Sequence, residues 1–197
     1  MTDDIRELQT QLEQEPSNRD LFDMLADHYA ETGDWRRLRW HFEKYAGQFD
    51  GAESFSQLAY VLRELAEATD DDREKASILI ALGDIMFEHI GDRDAGMSAY
   101  QNAFKAYPDD TTSLDRARRV YRQAEDYDRV LLLYELEGKV KEEPAERADL
   151  LVKIAQVHGD FLGDHEEAAE LLDDALELVP EHEMASKIAE IYRSGTK

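Results

Sequence analysis

Apolar residues recur along this chain at helical spacing, in stripes separated by short polar breaks. Residues 2 to 14 place Ile5, Leu8 and Leu12 on one face, with Thr2 or Asp3 positioned to cap the helix and Pro16 to end it. Leu21, Phe22, Leu25, Ala26 and Tyr29 form the next stripe. Thr32-Gly33-Asp34 interrupts it, and Trp35, Leu38, Phe42 and Tyr45 resume at the same period. Residues 52–69 give another helix through Phe55, Leu58, Ala59, Leu62, Leu65 and Ala66, and residues 72–90 one through Ala76, Leu79, Leu82, Gly83, Met86 and Ile90. No alternating stretch bounded by turn residues reads as a strand, so the class is all-α.

The stripes repeat. Gly91, Asp92, Ala103 and Pro108 return as Gly163, Asp164, Ala175 and Pro180, each 72 positions on. The first hairpin returns at an offset of 92, with Leu114, Ala117, Tyr121, Glu125-Asp126-Tyr127, Val130 and Tyr134 in the places of Phe22, Leu25, Tyr29, Gly33-Asp34-Trp35, Leu38 and Phe42. The offsets differ by twenty residues (92 − 72). That is about the length of the 18-residue helix at 52–69, which has no counterpart in the second half. The expected organisation is one helical-repeat domain over 1–197: hairpins at about 18–49, 72–108, 111–142 and 145–180, an extra helix at 52–69, and a half-repeat at 181–194. Because the last unit stops where its second helix is due, the sequence is read as part of a longer protein or as ending in an unpaired capping helix.

Composition narrows the function. The chain has 197 residues, of which 42% are apolar, enough for a continuous core, and no cysteine, which removes disulfides and thiolate chemistry. Its start lacks the basic and apolar regions of a secretory signal, and no apolar run nears the roughly 20 residues that span a bilayer. These features point to a soluble protein of cytoplasmic type. Forty-six Asp and Glu against 23 Lys and Arg leave a net charge of −23. A field of that sign repels nucleic acid and anionic lipid, and either attracts a basic protein or serves solubility.

Candidate chemistry is sparse. The six histidines, at 28, 41, 89, 158, 165 and 182, form no metal-site pattern, and Asp70-Asp71-Asp72 lacks the spacing of a calcium loop and reads as a helix cap. No phosphate-cradling loop or nucleophile elbow occurs. No catalytic residue, metal or cofactor is therefore assigned, and an enzyme is not expected. Trp35, Tyr29, Phe42, Tyr100 and Tyr134 read as packing residues, whereas Trp40 falls off the apolar face and is a contact candidate if exposed. The run Arg116, Arg118, Arg119 and Arg122 reads either as a small anion-receptive patch or as partners for nearby carboxylates.

Leu25-Ala26, Tyr29, Gly33-Asp34-Trp35 and Leu38, with Leu82-Gly83, Ala99, Tyr100, Ala103 and Pro108 and then Ile154-Ala155, Ala168, Leu172, Ala175 and Pro180, resemble the tetratricopeptide repeat, or TPR. The resemblance implies a right-handed α-solenoid of stacked antiparallel hairpins with about eleven helices. It also implies that the first helix of each hairpin lines a concave, protein-binding groove. The groove-facing positions fall on Asp20, Asp23, Asp27 and Glu31, on Ile80, Asp84, Phe87 and Glu88, on Asp115, Arg119 and Arg122, and on Val152, Gln156 and Asp160. The family's clamp for the acidic tails of heat-shock chaperones needs Lys and Asn there. The acidic residues found instead favour a basic peptide or protein partner. The expected function is a non-catalytic interaction scaffold; a chaperone or escort for a basic client and a regulatory repeat domain of a larger enzyme are the alternatives. Two departures stand out: the first helices of the 72 and 144 units run one residue long before their Gly-Asp, and Gly96 sits mid-helix, which only a close helix approach repays.

Overall fold

The computed structural model describes residues 2–49 and 51–195. Eleven α-helices run through them and no strand is present among the described residues, so the all-α class and the helix number hold. Contacts divide the chain into two units, Met1–Ser113 and Leu114–Lys197. The caps expected at Thr2 or Asp3 concern side chains outside the described part, as does the end of the half-repeat from Ser194 onward.

The N-terminal unit holds α1 (Thr2–Gln14), α2 (Arg19–Glu31), α3 (Trp35–Tyr45), a 3-10 turn (Ala46–Gln48), α4 (Gly51–Ala68), α5 (Asp72–Ile85) and α6 (Arg93–Ala106). Each helix packs on the next, from α1 against α2 through to α5 against α6. Most of the twenty extra residues form α4, 18 residues long, and it is no appendage: Leu58, Ala59, Val61, Leu62, Leu65 and Ala66 are buried against α3 and α5. Its N-terminal half is also tied down by His89, whose ring stacks on Phe55 with centroids 3.6 Å apart.

The C-terminal unit holds α8 (Tyr127–Gly138), α9 (Pro144–Gln156), α10 (His165–Leu178) and α11 (Glu183–Gly195), preceded by α7 (Thr112–Gln123), which begins at the boundary. Pro144 opens α9, where its missing amide hydrogen is not needed. Ala148, Ala155, Ala168, Ala175, Ala185 and Ala189 are buried together and let α9, α10 and α11 pack closely.

The corners follow from local chemistry. Asp34, Asp92 and Asp164 each accept a hydrogen bond from the amide three residues on, at 3.2, 3.0 and 3.2 Å, and Asp71 and Asp126 do the same at 2.7 and 3.2 Å. Such a cap contributes about 1 kcal/mol. The preceding Gly33, Gly91 and Gly163 take φ of 68°, 79° and 71°, the left-handed conformation that a side chain resists. The fourth such corner carries Glu125 at φ 56° instead.

The two departures seen in the sequence have physical explanations. The surplus residue is taken up by a π-helical turn at Met86–Ile90 after α5 and at Val157–Leu162 after α9, each ending on its left-handed glycine. Gly96 is buried because the Phe87 ring lies where its side chain would be, within 2.6 Å of a Cβ built there. Likewise a Cβ on Gly83 would stand 2.3 Å from Cε1 of Tyr100. At the 72-residue echo the sizes are exchanged: Ala155 and Ala168 replace the glycines, while Leu172 and Gly159 replace Tyr100 and Phe87. A Tyr192 ring from α11 covers Gly159, and its hydroxyl donates to Asp160 at 2.8 Å, as the Tyr100 hydroxyl donates to Asp84 at 2.7 Å. The tyrosine that fills the space next to the glycine thus comes from α6 in one unit and from α11 in the other.

Candidate protein-binding grooves

The solvent face of α2 is an acidic stripe. Asp20, Asp23, Asp27 and Glu31 lie one above another at helical spacing, with exposed Met24 beside them. Across from Asp23 and Asp27 stands α4, and between the two helices runs a groove of about 420 Å³. Ala26, Ala30, Leu38 and Phe42 give it a small-residue and apolar lining, and Gln57, Tyr60 and Val61 form the α4 side. Tyr60 is 54% exposed and meets Trp35 edge-on at 6.4 Å, which fixes its ring at the groove.

The carboxylates in this groove are unequal. Asp23 receives Arg19 Nε on both oxygens at 2.9 Å, and the Arg19 guanidinium also lies over Phe22 and Phe49, so that charge is largely answered within the fold. Asp27 is exposed, and its carboxylate has no ion pair or hydrogen bond among the described residues. It is the acidic group in the groove with open valence.

The other sequence-derived positions are placed elsewhere. Asp84 accepts the Tyr100 hydroxyl, Phe87 packs on Gly96 and stacks on Tyr100 at 5.5 Å, and neither lines the groove beside α2; nor does exposed Glu88. The physical reason is α4. The wall opposite α2 is α4, and no residue of α5 lines this groove. In the C-terminal unit, exposed Asp115 and buried Glu137 both pair with Arg118, at 2.5 and 2.6 Å, and Arg118 is itself buried with its guanidinium 4.2 Å from the Tyr134 ring centroid. Arg122 reaches the Tyr134 hydroxyl, Arg119 is exposed and engaged in a further contact, and Gln156 is half-buried. Of the two readings of the arginine run, pairing with nearby carboxylates describes Arg118, whereas Arg122 is held by the Tyr134 hydroxyl and ring.

Trp40 is 49% exposed, with Lys44 Nζ 4.6 Å from its ring. It borders a small cavity of about 100 Å³ shared with Gln9, Leu12 and Glu13 of α1, and the Lys44 ammonium reaches Glu13 at 3.1 Å. Tyr45 first and Glu13 second hold that ammonium's pKa above its ordinary value. So α1 docks along Tyr29, Trp40 and Tyr45, leaving the α2/α4 groove open.

A second groove, of about 500 Å³, flanks the other side of α4. Arg63 and Glu67 of α4, Lys75 of α5, and Ser98 and Asn102 of α6 provide its polar groups over Ala66, Leu79, Leu82, Ala95 and Ala99. Neither this groove nor Tyr60 emerged from repeat matching, since α4 has no counterpart in the repeat. The available signal was that Tyr60 and Arg63 fall off the apolar stripe of residues 52–69.

Antiparallel helix pairs with left-handed glycine corners, aspartate caps and small-on-aromatic contacts recur in both units. This is the helix-pair architecture that the TPR resemblance implies. No protein-family model matches the chain, and no curated protein does. Among solved structures, MamA aligns with 88% of this chain and 85% of its own at 19% identity and a TM-score of 0.45. TTC0263, a thermophilic TPR protein of Thermus thermophilus, aligns with 96% of this chain and 89% of its own at 12% identity and 0.42. YrrB, a TPR protein with an unusual peptide-binding site, aligns with 93% and 97% at 15% identity and 0.42. Likeness at this level says nothing about the partner or activity of the present chain.

Proposed function

We propose that this TPR-like protein is a non-catalytic interaction scaffold that binds a basic peptide or protein segment in the groove between α2 and α4. The observation that carries the reading is Asp27, an exposed carboxylate without an internal partner, set between an acidic stripe and an exposed tyrosine. A lysine or arginine fits all three. Its aliphatic stem lies over Ala26 and Ala30, its charge meets Asp27, and the Tyr60 face accepts a cation at close range. Asp20 and Glu31, at the two ends of the stripe, extend the attraction along a segment longer than one residue.

The test uses the full chain and a labelled lysine-rich peptide in fluorescence anisotropy. Asp27→Lys should weaken binding about ten-fold, equivalent to about 1.4 kcal/mol, and affinity should fall steeply with salt. Tyr60→Ala should weaken it less, and Asp84→Lys should leave it nearly unchanged, because Asp84 is not in this groove. Binding that ignores both salt and the Asp27 reversal would refute the assignment.

A further inference from the structure

The groove on the far side of α4 has the opposite electrostatic character. Arg63 and Lys75 line it, and neither forms an ion pair or side-chain hydrogen bond among the described residues. Glu67 is one helical turn from Arg63 and does not pair with it. This contrasts with much of the chain, where cations are held by carboxylates: Arg36 by Glu74, Arg39 by Glu43, Lys44 by Glu13, Lys141 by Glu146. In a protein of net charge −23, this cavity brings two such cations together beside a single carboxylate, Glu67.

We infer that the α4/α6 groove is a second docking surface, and that its occupant is an acidic amphipathic segment of another protein. The apolar lining of Ala66, Leu79, Ala95 and Ala99 gives such a segment's apolar side chains a surface to cover, and small residues admit it closely. Arg63 and Lys75 then meet its carboxylates, while Asn102 and Ser98 supply neutral hydrogen-bonding groups on the α6 side. The acidic surface elsewhere does not forbid this. At physiological salt, charges farther off than about 8 Å are largely screened, so the nearest cations set the local preference. The assignment is independent of the basic-segment reading of the α2/α4 groove, and the two share only α4.

The experiment uses the full chain and three labelled synthetic peptides: leucines at helical spacing with glutamates between them, the same peptide with Glu replaced by Gln, and the same with Glu replaced by Lys. The Glu peptide should bind at least about ten-fold tighter than the Gln peptide and lose affinity with added salt. Arg63→Glu with Lys75→Glu should reduce its binding about ten-fold, and the milder Arg63→Gln with Lys75→Gln should reduce it in the same direction, with far-UV circular dichroism confirming that both variants fold. Asp23→Lys with Asp27→Lys should leave Glu-peptide binding intact while abolishing that of the Lys peptide. Absence of Glu-peptide binding, equal binding of the Gln peptide, or indifference to Arg63 and Lys75 would overturn the inference. So would a concentration-dependent dimer abolished by the Arg63 and Lys75 reversals, since the occupant would then be a second copy of this chain.

Discussion

Replacing Arg118 by methionine tests the unusual joint between α7 and α8. Arg118 has 2% of its side chain exposed and Glu137 6%, so the pair is removed from water. Deleting one member of a buried pair costs about 3–5 kcal/mol, because the other is left buried with its charge unanswered. Glu137 Oε2 lies 2.6 Å from Arg118 Nη2 yet makes no well-directed hydrogen bond, so this is an ion pair by distance alone and belongs at the low end, near 3 kcal/mol. The guanidinium over Tyr134 adds about 1 kcal/mol, and methionine regains a similar amount by filling the space. Asp115, with 67% of its side chain exposed, adds little. The net loss for Arg118→Met is therefore about 3 kcal/mol. Glu137→Leu alone should carry a similar loss, whereas the double variant Arg118→Met with Glu137→Leu buries no charge and should return to within about 1 kcal/mol of the parent, far less than the two single losses added. Urea unfolding followed by circular dichroism, with hydrogen exchange over residues 112–138 to place the loss, measures all three. A single variant within about 1 kcal/mol of the parent, or a double variant as damaged as the sum of its parts, would refute the view that a buried pair holds these helices.

Two further outcomes follow from local geometry. Glu125 occupies at φ 56° a corner that glycine fills elsewhere, and a side chain there costs about 1–2 kcal/mol, so Glu125→Gly should stabilise the chain by about 0.5–1 kcal/mol after glycine's own entropic cost; thermal unfolding reads this as a small rise in midpoint. Burial holds the His41 pKa below its ordinary 6.5, against the opposing pull of the Phe22 carbonyl and Asp23. The unfolded chain then binds the proton more readily than the folded one, so this contribution is complete above about pH 6.5 and is lost as pH falls toward the folded value. Relative to the parent, His41→Gln should show a flatter fall in urea stability between about pH 7 and pH 5, and parallel slopes would count against the burial argument.

The features legible in the sequence were those set by short-range chemistry. Helical period, the Gly-Asp corners and the prolines act over a few residues, and α1, α2, α3 and α9 begin or end where those signals fall. Even the one-residue surplus before Gly91 and Gly163 was visible as a number, although its resolution into π-helical turns depends on how Met86 and Val157 pack. The fates of Asp23 and Arg118 were beyond pattern. Arg19 is four residues from Asp23 and visible to any helical reading, but whether the two bond or both face a partner depends on Phe22 and Phe49 beneath the guanidinium. Arg118 looked like a surface charge among three others, and only the placement of Glu137 and Tyr134 on α8 draws it inside.

The same distinction explains why the two grooves beside α4 are not lined by Asp84 and Phe87. Matching Asp84 and Phe87 to groove positions assumes that hairpins succeed one another without interruption, and the extra helix at 52–69 breaks that assumption. Once α4 is buried on α3 and α5, it must border a groove on each side: one with α2, carrying Asp27, and one with α6, carrying Arg63 and Lys75. An inserted pair of helices would have restored the alternation and left the repeat's groove in place, whereas a single helix cannot. The odd helix therefore does more than lengthen the N-terminal unit. It decides which side chains of the neighbouring helices line a groove, and it borders those grooves through Tyr60 and Arg63, two residues that play no part in the apolar stripe that makes α4 a helix.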